Sequence, residues 1–366
     1  MAGYLVFILL FILPFIIFPI GASQFEIPKV ILSHIVVWTL LFSVIIQKGK
    51  SFFLSFDHVQ LILAGVLFFI SAVHLVFFPS PISFLGNPAR MQGILLLWSL
   101  LLFSLVASRV KLPKISGYFY LFLLLATFVL SLLLSNQNGR AVATLGEPNA
   151  LAAFVIFLWP FIFFAKYESK NVPYVQILGG LITVFIILLS QSVSGLAAFA
   201  IQLLFLVLFK KANLPLKKVV FVSVFFIGLV YLFPFFDRSP YENRVDIWNT
   251  AITAGVENPI LGAGFGNAEI QIRQTSQIMH DKLIGYYVDS GHNIFIDWWI
   301  QSGIVGLTTL IILIVISIRN FYLQKKAMEL IILLGLIAVL SFNPASVVTL
   351  LAFWWTIGRS FAYNEG

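Results

Sequence analysis

Cysteine is absent from the 366 residues. Its absence excludes structural disulfides, thiolate metal sites and cysteine nucleophiles, and it leaves the redox compartment unread. Charge is scarce as well: 10% of residues are Asp, Glu, Lys or Arg, against ~25% in soluble domains. Histidine is rare, and His34, His58, His74, His280 and His292 show no HxxxH or HxxE spacing, which speaks against a metal site. Gly262, Gly264 and Gly266 have no strand before them, so they read as a turn or helix end rather than a nucleotide loop. The net charge of +8 would suggest nucleic acid as the partner of a soluble protein. In so apolar a chain, basic residues are topology signals first, and no nucleic-acid partner is expected.

What is present is hydrophobic sequence, 60% of the chain. About twelve apolar runs of roughly 17 to 25 residues are each long enough to cross a hydrocarbon core ~30 Å thick. The expected fold is all-α, a polytopic integral membrane protein forming a single transmembrane domain over 1–366. The runs are Tyr4–Ile20, read as a retained span kinked at Pro14, then Ile27–Ile46, Val59–Phe78, Gln92–Ala107, Tyr118–Leu134, Asn149–Ala165, Tyr174–Leu189, Ser194–Phe209, Val219–Phe233, His292–Ile318, Ala327–Ser341 and Ser346–Phe361. Gly303 and Gly306 are expected to bend or interrupt the tenth. Residues 234–291 form the one long polar segment and hold seven of the fourteen acids, so function is sought there first. Trp298, Trp299, Trp354, Trp355 and the 39 phenylalanines read as interfacial belt and lipid-facing packing.

Alternate short loops carry 15 of the 22 basic residues, which predicts both termini in the cytoplasm and the long loop facing outward. The remaining seven are Lys29, Arg90, Arg140, Arg238, Arg244, Arg273 and Lys282. Five of these seven are Arg, against three of fifteen inside. Lysine is enough to anchor a loop on an anionic leaflet, whereas the planar guanidinium binds two oxygens at once and suits phosphate. Arg238 and Arg273 read as partners of acids such as Asp237 and Glu269 on a solvated loop. Arg90, Arg140 and Arg244 sit in short polar stretches at the membrane boundary, beside Gly, Asn or aromatic residues, and are placed to converge on one anion.

Four stretches stand at outer ends of expected spans: Gly86–Gly93 (GNPARMQG), Arg140–Asn149 (RAVATLGEPN), Arg244–Trp248 (RVDIW) and Gly291–Phe295 (GHNIF). In that order, with Asn258–Gly266 (NPILGAGFG) between the last two, they resemble the O-antigen ligase and O-antigen polymerase superfamily of bacterial envelope glycosyltransferases. The resemblance runs from about residue 86 to 310 and rests on the set of motifs together. It implies a GT-C-like membrane fold without metal or other cofactor, in the bacterial cytoplasmic (inner) membrane. It also implies a donor glycan on undecaprenyl diphosphate, moved en bloc to a glycan, lipid or protein acceptor at the outer face. By position, Arg140 and Arg244 match the family's diphosphate-binding arginines, Arg90 a frequent outer arginine, and His292 the loop-end histidine required for transfer. Many relatives carry an acid before the glycine of the following helix. Here Gln301-Ser302-Gly303 stands in that place, and whether Asp297 takes over the role stays open.

The chemistry also follows from the residues. Breaking a sugar–diphosphate bond needs positive charge on the leaving group, which arginines in a partly water-excluded site supply. The attacking hydroxyl needs a base, and imidazole titrates in a suitable range, so His292 is the candidate. Asp246, Asp289 or Asp297 is placed to orient it, and Asn293 and Trp248 are further candidates for orienting or acceptor contacts. For His292 the bland role is helix capping or packing; for Ser190, Gln191, Ser192 and Ser194 it is satisfying helix-end backbone rather than contacting sugar hydroxyls. A transporter or flippase of a lipid-linked glycan also suits twelve spans and an arginine-lined cavity, but it favours mid-span charges or inverted repeats, which are scarce or undetected here. An assembly scaffold is a third reading that no residue specifically supports. Within the glycosyltransferase class, ligase, polymerase and protein O-oligosaccharyltransferase stay open.

Overall fold

A computed structural model describes residues 1–49, 56–77, 79–165, 167, 172–211 and 244–362. The fold is all-α, with fourteen α-helices among the described residues. They are α1 (Ala2–Phe7), α2 (Ile27–Lys48), α3 (His58–Phe77), α4 (Pro81–Leu85), α5 (Ile94–Ala107), α6 (Gly117–Leu133) and α7 (Pro148–Phe164). After these come α8 (Val172–Ser190), α9 (Val193–Lys211), α10 (Arg244–Val256), α11 (Ala268–Met279), α12 (Ile294–Leu323), α13 (Ala327–Leu340) and α14 (Val347–Ser360). Eleven of the twelve expected spans coincide with helices, most within two or three residues; Val219–Phe233, Arg238 and the start of the 234–291 segment lie outside the described residues. Among the described residues, four helices are long and apolar enough to cross a membrane: Ile27–Gln47, His58–Phe77, Val172–Ser190 and Ile294–Leu323. With the shorter apolar helices they make this a multi-pass membrane protein.

The first span departs from expectation. Its α-helix stops at Phe7, a π-turn covers Ile8–Ile12 and a 3₁₀ turn Leu13–Phe15, so Pro14 ends the helix instead of kinking it. The tryptophans differ too. Trp298, Trp354 and Trp355 are buried, with Trp298 against Trp354 and Trp355 edge-on to Phe157, so they pack the interior and form no belt.

Two helices, α7 and α13, are apolar on every side and buried almost throughout, as a helix without a polar face must be. Gln202 of α9 ties them together: it accepts from the Trp159 indole and donates to the carbonyls of Ile156 (3.0 Å) and Ile331 (3.2 Å). A buried amide so satisfied fixes the register of three helices where apolar contact alone specifies it weakly. By contrast α2, α3, α6 and α8 expose Ile35, Phe42, Phe69, Phe122 and Phe185, the composition of a lipid-facing wall.

The described part of the polar segment is itself helical. Ala251 and Ala254 of α10, and Ala268 and Ile272 of α11, form a small core closed by Ile300 of α12. The connection between α10 and α11 splices into α12, which breaks at Gly303 (φ 59°, ψ −162°). Across the break, the amides of Ala263 and Gly264 donate to the carbonyls of Ile300 and Gln301. The amides of Ile304 and Val305 donate to those of Pro259 and Ile260. A Cβ on Gly303 would lie 2.4 Å from the Ile260 backbone, and one on Gly262 2.4 Å from that of Gln301, so the two chains meet only as glycines. The NPILGAGFG motif is therefore the part that redirects the start of α12, where His292, Asn293 and Asp297 reside.

Candidate active site

The start of α12 is built by Asn293, which caps the helix by accepting from the amide of Phe295 at 2.9 Å. His292, just before it, has φ 50°, a left-handed conformation that costs a non-glycine residue about 1–3 kcal/mol and is found where the surroundings impose it. Asp297 imposes part of it by accepting from the Gly291 amide at 2.6 Å. The cap that sequence offered as part of the bland role for His292 is thus taken by its neighbour.

His292 instead faces Asp289: Nε2 lies 3.7 Å from Oδ1, with both side chains about 12% exposed. That separation is longer than a direct hydrogen bond, and the carboxylate attracts the ring only when the ring is protonated. The other carboxylate oxygen, Oδ2, accepts from Arg90 Nε. Burial pushes the Asp289 carboxyl up, but His292 and the Arg90 guanidinium beside it more than offset this and hold it well below the usual carboxylate range. The other nitrogens of Arg90 donate to Glu147 Oε1 at 2.6 Å and to the Ala345 carbonyl at 3.3 Å. Arg90 is thus engaged by two carboxylates, and the Glu26 carboxyl, which accepts from the Val347 amide at 3.0 Å, lies within reach of its field.

Arg140 and Arg244 lie in a different setting. Arg140 Nε donates to the Ser190 carbonyl at 3.0 Å, at the end of α8. Arg244 opens α10 and donates to the Phe342 carbonyl and to Asn343 Oδ1, the latter at 3.3 Å. Between them the α8–α9 turn runs as a row of small polar groups: Ser192 Oγ reaches Asn149 Oδ1 (2.9 Å) and Ser194 Oγ (3.1 Å), and Asn343 Nδ2 donates to Ser194 Oγ at 2.6 Å. The connection between α13 and α14 is thus shared: Phe342 and Asn343 receive Arg244, while Ala345 receives Arg90 and Gln92. Hydrogen bonds thus tie Arg140 to the α8–α9 turn and that turn to Asn343 and Arg244, while two residues further along the same α13–α14 connection Ala345 holds Arg90, the partner of Asp289.

Sequence reading did not single out Asn343, Glu147 or Glu26, and left Asp289 among three acids. The available signals were a Ser-Phe-Asn-Pro break between two apolar helices, and a glutamate before a helix-opening proline. Of the remaining candidates, Asp246 pairs with Lys282 at 3.4 Å on the surface, and Trp248 packs on Phe342 beneath Arg244. Arg273 does not pair with Glu269 as expected; that carboxylate accepts from Asn87 (3.2 Å) and Tyr287 (3.3 Å) instead.

A cavity of about 100 Å³ adjoins the Asp289 carboxylate. Asn87, Arg90, Gln92, Asp289, Asp297 and Gln301 line its polar end, and Leu96, Leu97, Leu100, Leu350 and Trp354 its apolar end. With Arg90 matched by acids, the polar end suits a hydroxyl donor better than an anion. Arg140 and Arg244, which reach backbone carbonyl and amide oxygens, carry the planar guanidinium that suits phosphate. Among the described residues no group of three or more His, Asp or Glu is arranged to hold a metal ion.

Comparison with known proteins bears out the resemblance. Residues 178–311 match the family model described as O-antigen ligase. Over 222 residues the chain is 26% identical to the ComP-specific O-oligosaccharyltransferase of Acinetobacter baylyi (strain ATCC 33305 / BD413 / ADP1), a match covering 56% of this chain and 40% of that protein. The chain thus spans less than half the length of the curated relative it matches. The matched segment contains the α8–α9 turn, Arg244, the glycine splice and the Asp289–His292 pair; Arg90 and Arg140 precede it.

Proposed function

We propose that this membrane protein, whose residues 178–311 are an O-antigen ligase family segment, transfers a glycan en bloc from undecaprenyl diphosphate to an acceptor hydroxyl at the outer face of the bacterial cytoplasmic membrane. The observation that carries this reading is the set of hydrogen bonds that ties Arg140 to the α8–α9 turn and that turn, through Asn343, to Arg244, with a carboxylate–imidazole pair just ahead of α12. Arg140 and Arg244 hold the diphosphate and stabilise the negative charge it gains as the bond to the sugar breaks. The acceptor oxygen forms the new bond to the anomeric carbon. The old bond's electron pair leaves with undecaprenyl diphosphate, and the acceptor proton passes to His292. Asp289 orients the imidazole and stabilises the cation that results, as a buried carboxylate does beside a histidine base.

Arg90 then serves less as a phosphate ligand than as the clamp that keeps Asp289 ionised and in place. Asn293 and Asp297 set the backbone from which His292 projects, and Trp248 supports Arg244 through Phe342. The loop count supports cytoplasmic termini and an outward site, since 15 of 22 basic residues fall in alternate loops. The Acinetobacter relative is named for protein glycosylation, which makes a protein hydroxyl the first acceptor to try, ahead of lipid core and a second lipid-linked glycan.

Release of undecaprenyl diphosphate by purified protein in nanodiscs, with chelator present and acceptors added singly, tests the reading. Acceptor-dependent release by wild type, lost in Arg244→Ala and His292→Ala, is the expected result. No release with any acceptor, together with movement of the intact lipid-linked glycan between leaflets, would replace it with a flippase.

A further inference from the structure

A second and larger cavity, about 340 Å³, lies in the outer helical segment, away from His292. One wall is α11, which presents Glu269, Arg273 and Gln277 at successive turns, the i, i+4, i+8 spacing that lines side chains up along one face. The facing wall is the stretch Leu283–Val288, carrying Tyr286 and Tyr287, 74% and 68% exposed. Ile272 and Leu283 form part of the apolar lining. Arg273 makes no ion pair among the described residues, and Glu269 uses Oε2 for both its bonds, leaving Oε1 without a donor among them.

We propose that this cavity is a saccharide subsite, binding a sugar of the glycan that is transferred or extended. Three planar groups in a row, a carboxylate, a guanidinium and an amide, each offer paired donors or acceptors at the spacing of neighbouring sugar hydroxyls. Two tyrosine rings offer flat apolar faces for the C–H side of a pyranose, with a hydroxyl at the rim. A peptide groove would instead show a continuous apolar floor or an unpaired strand edge. Its position suits the role: Glu269 accepts from both Tyr287 and Asn87, and Asn87 lines the cavity beside Asp289. A sugar bound here sits one side-chain contact from the reacting centre, on the chain that runs from Val288 into Asp289. The subsite rests on the transferase reading only for the source of its sugar, which is either the donor glycan or a glycan acceptor.

The test uses the full chain in nanodiscs and, as probe, the reducing oligosaccharide freed by mild acid from undecaprenyl-diphosphate-linked glycan. Hydrogen exchange is expected to slow in 268–279 and 283–288 on adding the probe, and this protection is expected to vanish in Tyr286→Ala and in Arg273→Ala, two exposed positions whose truncation leaves folding intact. Kinetics assign the source. A rise in KM of about tenfold, the loss of ~1.4 kcal/mol of binding, for an oligosaccharide-bearing donor but not a single-sugar donor marks the donor glycan; the same rise for a glycan acceptor marks the acceptor. Absence of protection, protection that survives both variants, or protection by an acceptor peptide and not by the sugar overturns the proposal. Failure of the transferase reading looks different: wild type would release no undecaprenyl diphosphate while sugar protection persisted.

Discussion

Asp289 stands between two partners, with one carboxylate oxygen on Arg90 Nε and the other 3.7 Å from His292 Nε2. On the proposed mechanism a residue so placed acts through the imidazole. Asp289→Asn keeps the shape but removes the charge, and is expected to lower the maximal transfer rate by about 10²–10⁴-fold, the usual worth of a general base. Donor KM should hardly move. An unchanged rate would show that His292 works without Asp289.

Arg140 and Arg244 are expected to act on the leaving group. Each single alanine variant should lower transfer by about 10²–10³-fold, as loss of one transition-state donor does. Replacing Arg90 should behave differently, because it leaves the largely buried Asp289 carboxylate and the partly exposed Glu147 carboxylate without their shared cation. Arg90→Ala is therefore expected to lower thermal stability as well as activity, whereas Arg140→Ala, at a half-exposed position, should leave the melting temperature near that of wild type. Thermal unfolding in detergent, read beside the rates, separates the two classes.

Asn343 links the arginine site to the start of α9, accepting from Arg244 and donating to Ser194. Asn343→Ala leaves buried groups unmatched at a cost of about 1–3 kcal/mol. The expected kinetic signature is a raised donor KM. Asn343→Asp, which keeps the acceptor for Arg244 but not the amide donor for Ser194, tells whether the arginine or the serine matters more.

Acid should loosen the outer segment before the bundle. Burial pushes the Asp281 carboxyl up, but bonds from Ser276, Thr250 and the Leu283 amide more than offset it and hold it below its ordinary value, as Asp289 is held too. A carboxyl depressed on folding stabilises fully above its unfolded value near ~3.9 and loses that contribution as pH falls through the folded value. Hydrogen exchange in α10 and α11 is expected to accelerate between about pH 4 and the folded pKa values, ahead of α7 and α13, and less so in Asp281→Asn. Equal protection at pH 7 and pH 3 would contradict this.

How far the sequence could be read depended on the range of the interactions. Span positions were legible because length and apolar composition are local properties, and the four polar motifs at span ends were legible because polar residues are rare in such a chain. Pairings such as Arg90 with Asp289, 199 residues apart, leave no local trace, so three acids near His292 looked equivalent. Arg90 matched a phosphate ligand by residue type and position alone, and its two carboxylates became visible only when Glu147 and Asp289 were brought beside it. The tryptophans misled for a related reason: an indole at an expected helix end reads the same whether lipid or a neighbouring helix covers it.

The glycine splice can be probed directly. Gly303→Ala puts a Cβ against the Ile260 backbone in a left-handed conformation, so a loss of about 1–3 kcal/mol from backbone strain, with a further cost from the clash, is expected in thermal unfolding. Transfer should fall with it, since the same break aims the start of α12.

Because four amide–carbonyl bonds at that break join α12 to residues 259–264, the helix cannot finish its own ladder alone. Inserted by itself, a segment of 294–323 would carry those amides and carbonyls unmatched into hydrocarbon, where each is costly. The continuity of this helix is a tertiary property. During biogenesis its two halves become one element when the polar segment that precedes them in the chain takes its place, which ties completion of the bundle to completion of the candidate site.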